Sequence, residues 1–158
     1  MKTYHNLKPI YNSESKVLIL GTMPSVKSRE AAFYYANPQN RFWKIMANLF
    51  NTILENNSDK EKCLLDNKIA LWDVIKSCDI KGSNDASIKN VVVNNLDVII
   101  KNANIKAIFC TGNKAYKYYS KYFNYDIPCI LLPSPSGANA RYSLDDLVEK
   151  YSEIKKYL

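Results

Sequence analysis

Four short apolar runs, at residues 17–20, 69–75, 106–111 and 128–132, are separated by segments with helical periodicity. Apolar runs of this length between helical patterns read as buried strands. Over residues 40–54, Trp43, Met46, Leu49, Phe50 and Ile53 recur at helical spacing. Residues 61–66, 95–102 and the Tyr-rich 113–123 also read as helices, while 84–90 fits neither pattern. The segment Ser143-Leu-Asp-Asp146 starts a last helix as a capping-box-like arrangement, since Ser accepts from an orphan amide and acidic groups suit a helix N-terminus. Its buried stripe is Leu144, Leu147, Val148, Tyr151 and Ile154. Strands alternating with helices predict a mostly parallel sheet covered on both faces. The expected fold is α/β, a three-layer α/β/α sandwich around a small four-stranded central sheet. The continuous Cys-Ile-Leu-Leu at 129–132 suits a strand buried on both faces.

A chain of 158 residues, 47% of them hydrophobic, is expected to form one domain over 1–158, with surface enough to bury a core. It has no Gly/Ser-rich linker or internal repeat. The longest apolar runs fall far short of the roughly 20 residues of a membrane span, and the N-terminus lacks the apolar core of a signal peptide, so no membrane partner is expected. Net charge is +7, which attracts polyanions by counterion release. Twelve tyrosines add rings that stack and hydrogen-bond. Cys63, Cys78, Cys110 and Cys129 lack metal-ligand spacing, and Cys110 and Cys129 read as buried thiols. The single histidine, His5, reads as a surface residue, which argues against Ser-His-Asp or Cys-His chemistry. No metal or diffusible cofactor is expected. A reducing, cytoplasmic compartment fits, and the chain is expected to be a monomer.

In a parallel sheet the loops leaving the strands open on one edge, where such folds place their ligands. Those loops are residues 21–39, 73–85, 112–113 and 133–141, and the unusual polar residues collect there. Tyr34 and Tyr35 point in different directions if the backbone alternates or turns, so one can face the crevice and stack on a base; the alternative is that both pack against the core. Asn37 and Asn40 suit caps or turns, or an amide that positions a water. Asp73, at a strand end, suits a general base or a turn carboxylate. Thr111-Gly-Asn113 opens a helix whose amides suit a phosphate or base carbonyl, or an ordinary cap. In Leu132-Pro-Ser-Pro-Ser-Gly-Ala-Asn-Ala-Arg141, Ser134 and Ser136 suit phosphate oxygens. The segment from Gly137 through Ala138 and Asn139 to Ala140 is narrow enough to enter a DNA groove, and Arg141 can hold a phosphate or fill the gap left by an extruded nucleotide.

These segments resemble the uracil-DNA glycosylase superfamily. Ala36-Asn-Pro-Gln-Asn-Arg-Phe-Trp-Lys-Ile45, Leu132-Pro-Ser-Pro-Ser-Gly137 and Tyr142-Ser-Leu-Asp-Asp-Leu-Val-Glu-Lys-Tyr151 are similar to its mismatch-specific uracil/thymine branch, with Gly112 and Ala115-Tyr116 as a weaker point. That branch carries Asn two residues after the Gly of the first motif; here Met23 stands there, and a thioether cannot replace the amide. The hypoxanthine-DNA glycosylase branch shares that departure. It carries G-[ST]-x-P-S-x-x-S and Y-Y-x-x-P-Q-N-R-F-W, matched here from Gly21 through Ser25 to Ser28 and from Tyr34 to Trp43.

The resemblance implies a monofunctional glycosylase that hydrolyses the N-glycosidic bond of deaminated bases in duplex DNA during base excision repair, hypoxanthine first and uracil second. It implies that Asn40 aligns the water and that Tyr35 stacks on the flipped base. Gly21, Thr22, Met23 and Asn113 are then candidates to bind the base. Ser25, Ser28, Ser134, Ser136, Gly137, Ala138, Asn139 and Arg141 are candidates to contact DNA, with the segment after Gly137 penetrating the duplex. Asp73 is the alternative catalytic group. A non-catalytic damaged-DNA binder and a nucleotide-binding or assembly domain are the competing readings; the absence of a phosphate-binding Gly-rich motif counts against nucleotide binding.

Overall fold

A computed structural model describes residues 2–81 and 84–158. Three of the apolar runs become strands in which every residue is buried: β2 (Val17–Gly21), β3 (Ile69–Asp73) and β6 (Ala107–Thr111). Such uniform burial marks a parallel sheet covered on both faces. With β7 (Cys129–Leu132) they form a parallel sheet in the order β3-β2-β6-β7. The α/β sandwich is as expected, but β7 is an edge strand: Leu131 is 44% exposed, so the expectation of burial on both faces fails there.

From β2 the chain steps to β3 on one side; from β3 it crosses back to β6 and on to β7. Right-handed crossovers then put α2 (Phe42–Leu49) and α3 (Asn57–Asp66) on one face and α4 (Asp97–Ile100) and α5 (Asn113–Tyr122) on the other. The last helix, α6 (Leu144–Tyr151), packs on α2. Its capping box is complete: Ser143 Oγ accepts from Asp146 N–H, and Asp146 Oδ2 accepts from Ser143 N–H, both at 3.1 Å.

Helix α2 is shorter than its periodicity predicts. It stops at Leu49, and Asn51 at φ 49° turns the chain away, a left-handed termination that Asn tolerates. Ile53, which continues the helical spacing in the sequence, lies beyond the helix and is 79% exposed.

Two regions depart further from expectation. Residues 73–85 were expected as a loop, yet β4 (Ile75–Lys81) and β5 (Asn84–Val93) pair with each other, and β4 also pairs with β1 (Lys2–Tyr4), in a second, antiparallel sheet. Gly82 and Ser83 of that expected loop lie outside the described residues. Register shifts along β4 and β5 break strict alternation, as bulges do, and hide the strand signature. Within the first expected loop, residues 26–31 form a short helix, α1 (Val26–Ala31), capped by Ser25, whose side chain accepts from Ser28 N–H. No helix among the described residues is long and apolar enough to cross a membrane.

Candidate active site

Because crossovers leave β2 and β6 in opposite directions, the sheet has its switch point between them, and a crevice opens beyond their carboxyl ends. A cavity of about 260 Å³ lies there, lined from all four strand ends by Gly21, Asp73, Thr111 and Ser134. That volume sits just below the roughly 300–1,000 Å³ of drug-sized ligand sites, a scale that suits one heterocyclic base.

The first loop supplies one wall. Tyr35 has a left-handed backbone at φ 52°, which turns it away from its neighbour Tyr34. The Tyr34 side chain goes into the core, where its hydroxyl donates to Lys8 O at 2.6 Å. The Tyr35 ring stacks on Phe42, with centroids 4.1 Å apart and planes 16° from parallel. Thr111 Oγ1 donates to Leu20 O, so the Tyr35 hydroxyl donates to Thr111 Oγ1; both contacts are 3.3 Å. Phe42 covers one face of the Tyr35 ring, and Tyr35 is one of the residues lining the cavity. Burial, reinforced by the nearby Asp73 charge, pushes both phenols well above their ordinary range, so each stays a neutral donor.

Asn40 is a turn residue that also borders the cavity. Its Oδ1 accepts from Phe42 N–H at 2.9 Å, an Asx turn that starts α2, and the residue also lines the cavity. The turn leaves the amide nitrogen, and one lone pair of the oxygen, for a ligand or water. Among the described residues, the N–H groups of Thr22 and Met23 meet no acceptor, and both residues line the cavity. The Met23 side chain packs against the cluster of Ile75, Cys78 and Ile80, and Ile80 borders the cavity beside it.

The second loop, residues 133–141, closes the opposite side, and Arg41 holds it there. Arg41 N–H donates to Pro135 O at 2.9 Å, and its guanidinium donates to the carbonyls of Ser136 (2.8 Å), Asn139 (2.9 Å) and Tyr142. Tyr151 of α6 adds a hydroxyl donor to Pro133 O at 2.7 Å. Gly137 lies so close to the first loop that a Cβ there would stand 2.7 Å from Gln39 O, so only glycine lets the loops meet. Ser134 Oγ and Ser136 Oγ accept from the backbone two residues on, at 3.2 Å each, and keep their hydrogens for another acceptor.

Of the residues singled out from sequence, Gly21, Thr22, Met23, Ser25, Ser28, Tyr35, Asn40, Asp73, Ser134, Ser136, Gly137 and Ala138 line this one cavity. Asn113, expected to bind the base, does not: it is exposed on the first turn of α5, and Thr111 reaches the cavity from that strand end instead. Ser28, expected at the DNA, is buried, and its hydroxyl oxygen accepts from Ser25 Oγ (3.1 Å) and Ala36 N–H (3.0 Å), tying the first loop together. Asn139 braces the second loop through Ser134 O at 3.0 Å. Arg141 is exposed, with no partner among the described residues.

Three contributors escaped sequence reasoning. Arg41 and Thr111 sit inside segments already singled out, next to the residues chosen. His5 corrects the reading as a surface residue: its side chain is 2% exposed, and Nε2 lies 2.8 Å from Asp73 Oδ2. A partner 68 residues away leaves no local signal.

Fold and site together define a doubly wound α/β protein whose ligand cleft is the size of one base and sits at the switch point. The chain belongs to the uracil-DNA glycosylase superfamily, whose profile matches residues 9–158. It is 32% identical over 137 residues to a hypoxanthine DNA glycosylase of Methanosarcina acetivorans, covering 85% of this chain and 87% of that protein. A hypoxanthine DNA glycosylase of Methanosarcina barkeri is 31% identical over 138 residues, covering 84% and 86%. A solution NMR structure from Methanosarcina acetivorans, described as a candidate uracil DNA glycosylase, superposes with a TM-score of 0.82 at 28% identity, covering 98% of this chain and 99% of the other.

Proposed function

We propose that this glycosylase-family protein removes hypoxanthine, and more slowly uracil, from duplex DNA by hydrolysing the N-glycosidic bond. The observation that carries the reading is the convergence of Tyr35, Asn40 and the Thr22 and Met23 amides on one base-sized cavity. The glycosidic bond is out of reach inside the stack, so the nucleotide must leave the helix; this costs least for a mispaired base. Tyr35 offers the flipped base a ring to stack on, worth about 1–3 kcal/mol. The Thr22 and Met23 N–H groups meet the base carbonyl that gains charge as the bond to the sugar breaks. Asn40 aligns a water on the deoxyribose carbon as positive charge develops there. The water oxygen bonds to that carbon, the base departs with the bonding electrons and takes up a proton, and an abasic site remains. The rigid second loop, with Gly137 and Ala138 at its tip, enters the space the nucleotide vacates, while the net charge of +7 holds the phosphates.

The test is a single-turnover assay on duplexes carrying inosine, uracil or xanthine, followed by alkali. Strand breaks at inosine support the reading, and binding without breaks points to a damage binder. Asn40→Ala is expected to lower base release by roughly 10²–10³-fold, the scale of losing one preorganised polar group, with duplex binding kept. Parent-like cleavage by that variant removes Asn40 from the chemistry.

A further inference from the structure

Two of the four cysteines face each other across the edge of the central sheet. Cys110 Sγ on β6 and Cys129 Sγ on β7 lie 3.6 Å apart, free thiols in hydrogen-bond contact. Cys110 is fully buried, whereas Cys129, the first residue of the edge strand, is half-buried. A negative charge on the pair therefore sits on Cys129, where solvent reaches it, and Cys110 keeps its proton and donates. The shared bond, and then burial, push the Cys110 thiol up, and the same bond holds Cys129 below its ordinary value. A partly exposed thiol that ionises readily, beside a second one, is the setting of peroxide-reactive cysteines. A third group completes it. The Tyr119 hydroxyl of α5 is buried with no hydrogen-bond partner among the described residues, and it interacts electrostatically with both sulfurs. A buried hydroxyl without a partner is costly, and an oxygen arriving on Cys129 would take its hydrogen.

The strand register sets what a bond between these sulfurs would do. Cys129 pairs with Ile108, and Cys110 with Leu131, so Cys110 stands two residues nearer the crevice. At about 4.8 Å between strands and about 3.3 Å per residue, their Cα atoms are roughly 8 Å apart. A disulfide tolerates no more than about 7 Å, so one strand must slide by more than about 1 Å. β6 is held on both sides, by β2 and β7, while β7 is held on one. β7 is the strand that moves, and it moves toward the crevice. The loop it carries there has no slack. Gly112 N–H donates to Leu132 O at 2.8 Å, and a Cβ on Gly137 would already stand 2.7 Å from Gln39 O.

We propose that Cys129 and Cys110 form a hydroperoxide-reactive site, and that their oxidation to a disulfide drives the second loop into the cleft and shuts it. The Cys129 thiolate attacks the peroxide: an S–O bond forms and the O–O bond breaks. The displaced oxygen takes up the proton Cys129 had released and leaves as an alcohol or water. Cys129 is then a sulfenic acid, oxidised by two electrons. The Cys110 sulfur attacks it; the S–S bond forms, the S–O bond breaks, and the hydroxide leaves with the Cys110 proton as water. A thiol reductant reverses the change by exchange.

The test treats the reduced full chain with hydrogen peroxide, blocks the remaining thiols and maps them by mass spectrometry. A peptide pair joined at Cys110 and Cys129 and split by dithiothreitol is expected, with the buried Cys63 and Cys78 unmodified. Cys129→Ser gives no cross-link. Cys110→Ala halts at the Cys129 sulfenic acid, which dimedone traps. In the oxidised parent, amide exchange at Ser136, Ala138 and Asn139 changes and duplex binding is lost. Dithiothreitol restores both, and peroxide leaves duplex binding by Cys129→Ser intact. Failure of the cross-link to form overturns the proposal, and so does a cross-link that leaves loop exchange and binding as they were. Cross-link and exchange are read without cleavage, so if the parent excises no base the proposed function fails while this site is still decided.

Discussion

Replacing Arg41 by Met should loosen the second loop while leaving the sheet intact. The variant keeps an apolar stem of similar length, so the packing of the stem is largely retained and only the guanidinium is lost. That group donates to three main-chain carbonyls, two of them at 2.8 and 2.9 Å. A hydrogen bond from a charged donor contributes about 1.5–3 kcal/mol. The three bonds share one fork, and Arg41 Nε is buried without an acceptor, so their worth does not add. A net loss of about 3 kcal/mol is expected, equal to two bonds at the low end of that range. For a chain of 158 residues this corresponds to a fall in Tm of about 6–12 °C. Scanning calorimetry gives the first number. Amide exchange at Ser136, Ala138 and Asn139 shows whether the loop opens before the rest unfolds. A Tm within about 2 °C of the parent, with loop exchange unchanged, would refute the idea that Arg41 preorganises this wall.

Two further outcomes follow from the charges and phenols. Arg141→Ala should weaken duplex binding and make the slope of log affinity against log salt shallower by roughly one unit; an unchanged slope takes Arg141 off the phosphates. Tyr34, Tyr35, Tyr119, Tyr125 and Tyr151 all have phenols pushed above the ordinary value of 10.0, chiefly by burial. A raised folded value means that the unfolded chain loses protons first as pH rises, so the stability these groups contribute is whole below pH 10 and is lost progressively above it. Urea midpoints measured between about pH 8 and 11 should be level and then fall; a midpoint still level at the alkaline end would contradict the burial of these rings.

The parts of the fold that were legible in sequence are those set by local pattern. β2, β3 and β6 are apolar up to their last residues because both faces are covered, and Ser143 announces α6 through its own cap. Two of the strand-end loops, at residues 21–39 and 133–141, were legible because polar, proline-bearing segments beside apolar strands have no other place to go. What stayed hidden depends on partners far along the chain. His5 acquires its role only when β1 lies against β4 and brings it to Asp73. Arg41 reads as an ordinary residue before a helix until the second loop folds over it, some 95 residues later. The β4–β5 pair was illegible for a different reason: its register shifts scramble the two-residue period. Ile53 shows the opposite failure, a helical period that ran past a stop already signalled by Asn51.

The left-handed backbone at Tyr35 carries one more implication. A residue with a Cβ gives up about 1–2 kcal/mol to adopt that conformation, and here the Phe42 stack and the Thr111 bond offset the loss. The phenol is thus a latch for its own main chain as well as a surface for a ligand. Shortening it to alanine would free the twist to relax and carry Asn37 and Asn40 out of place with it. A defect at Asn40 can therefore arise from a change five residues upstream.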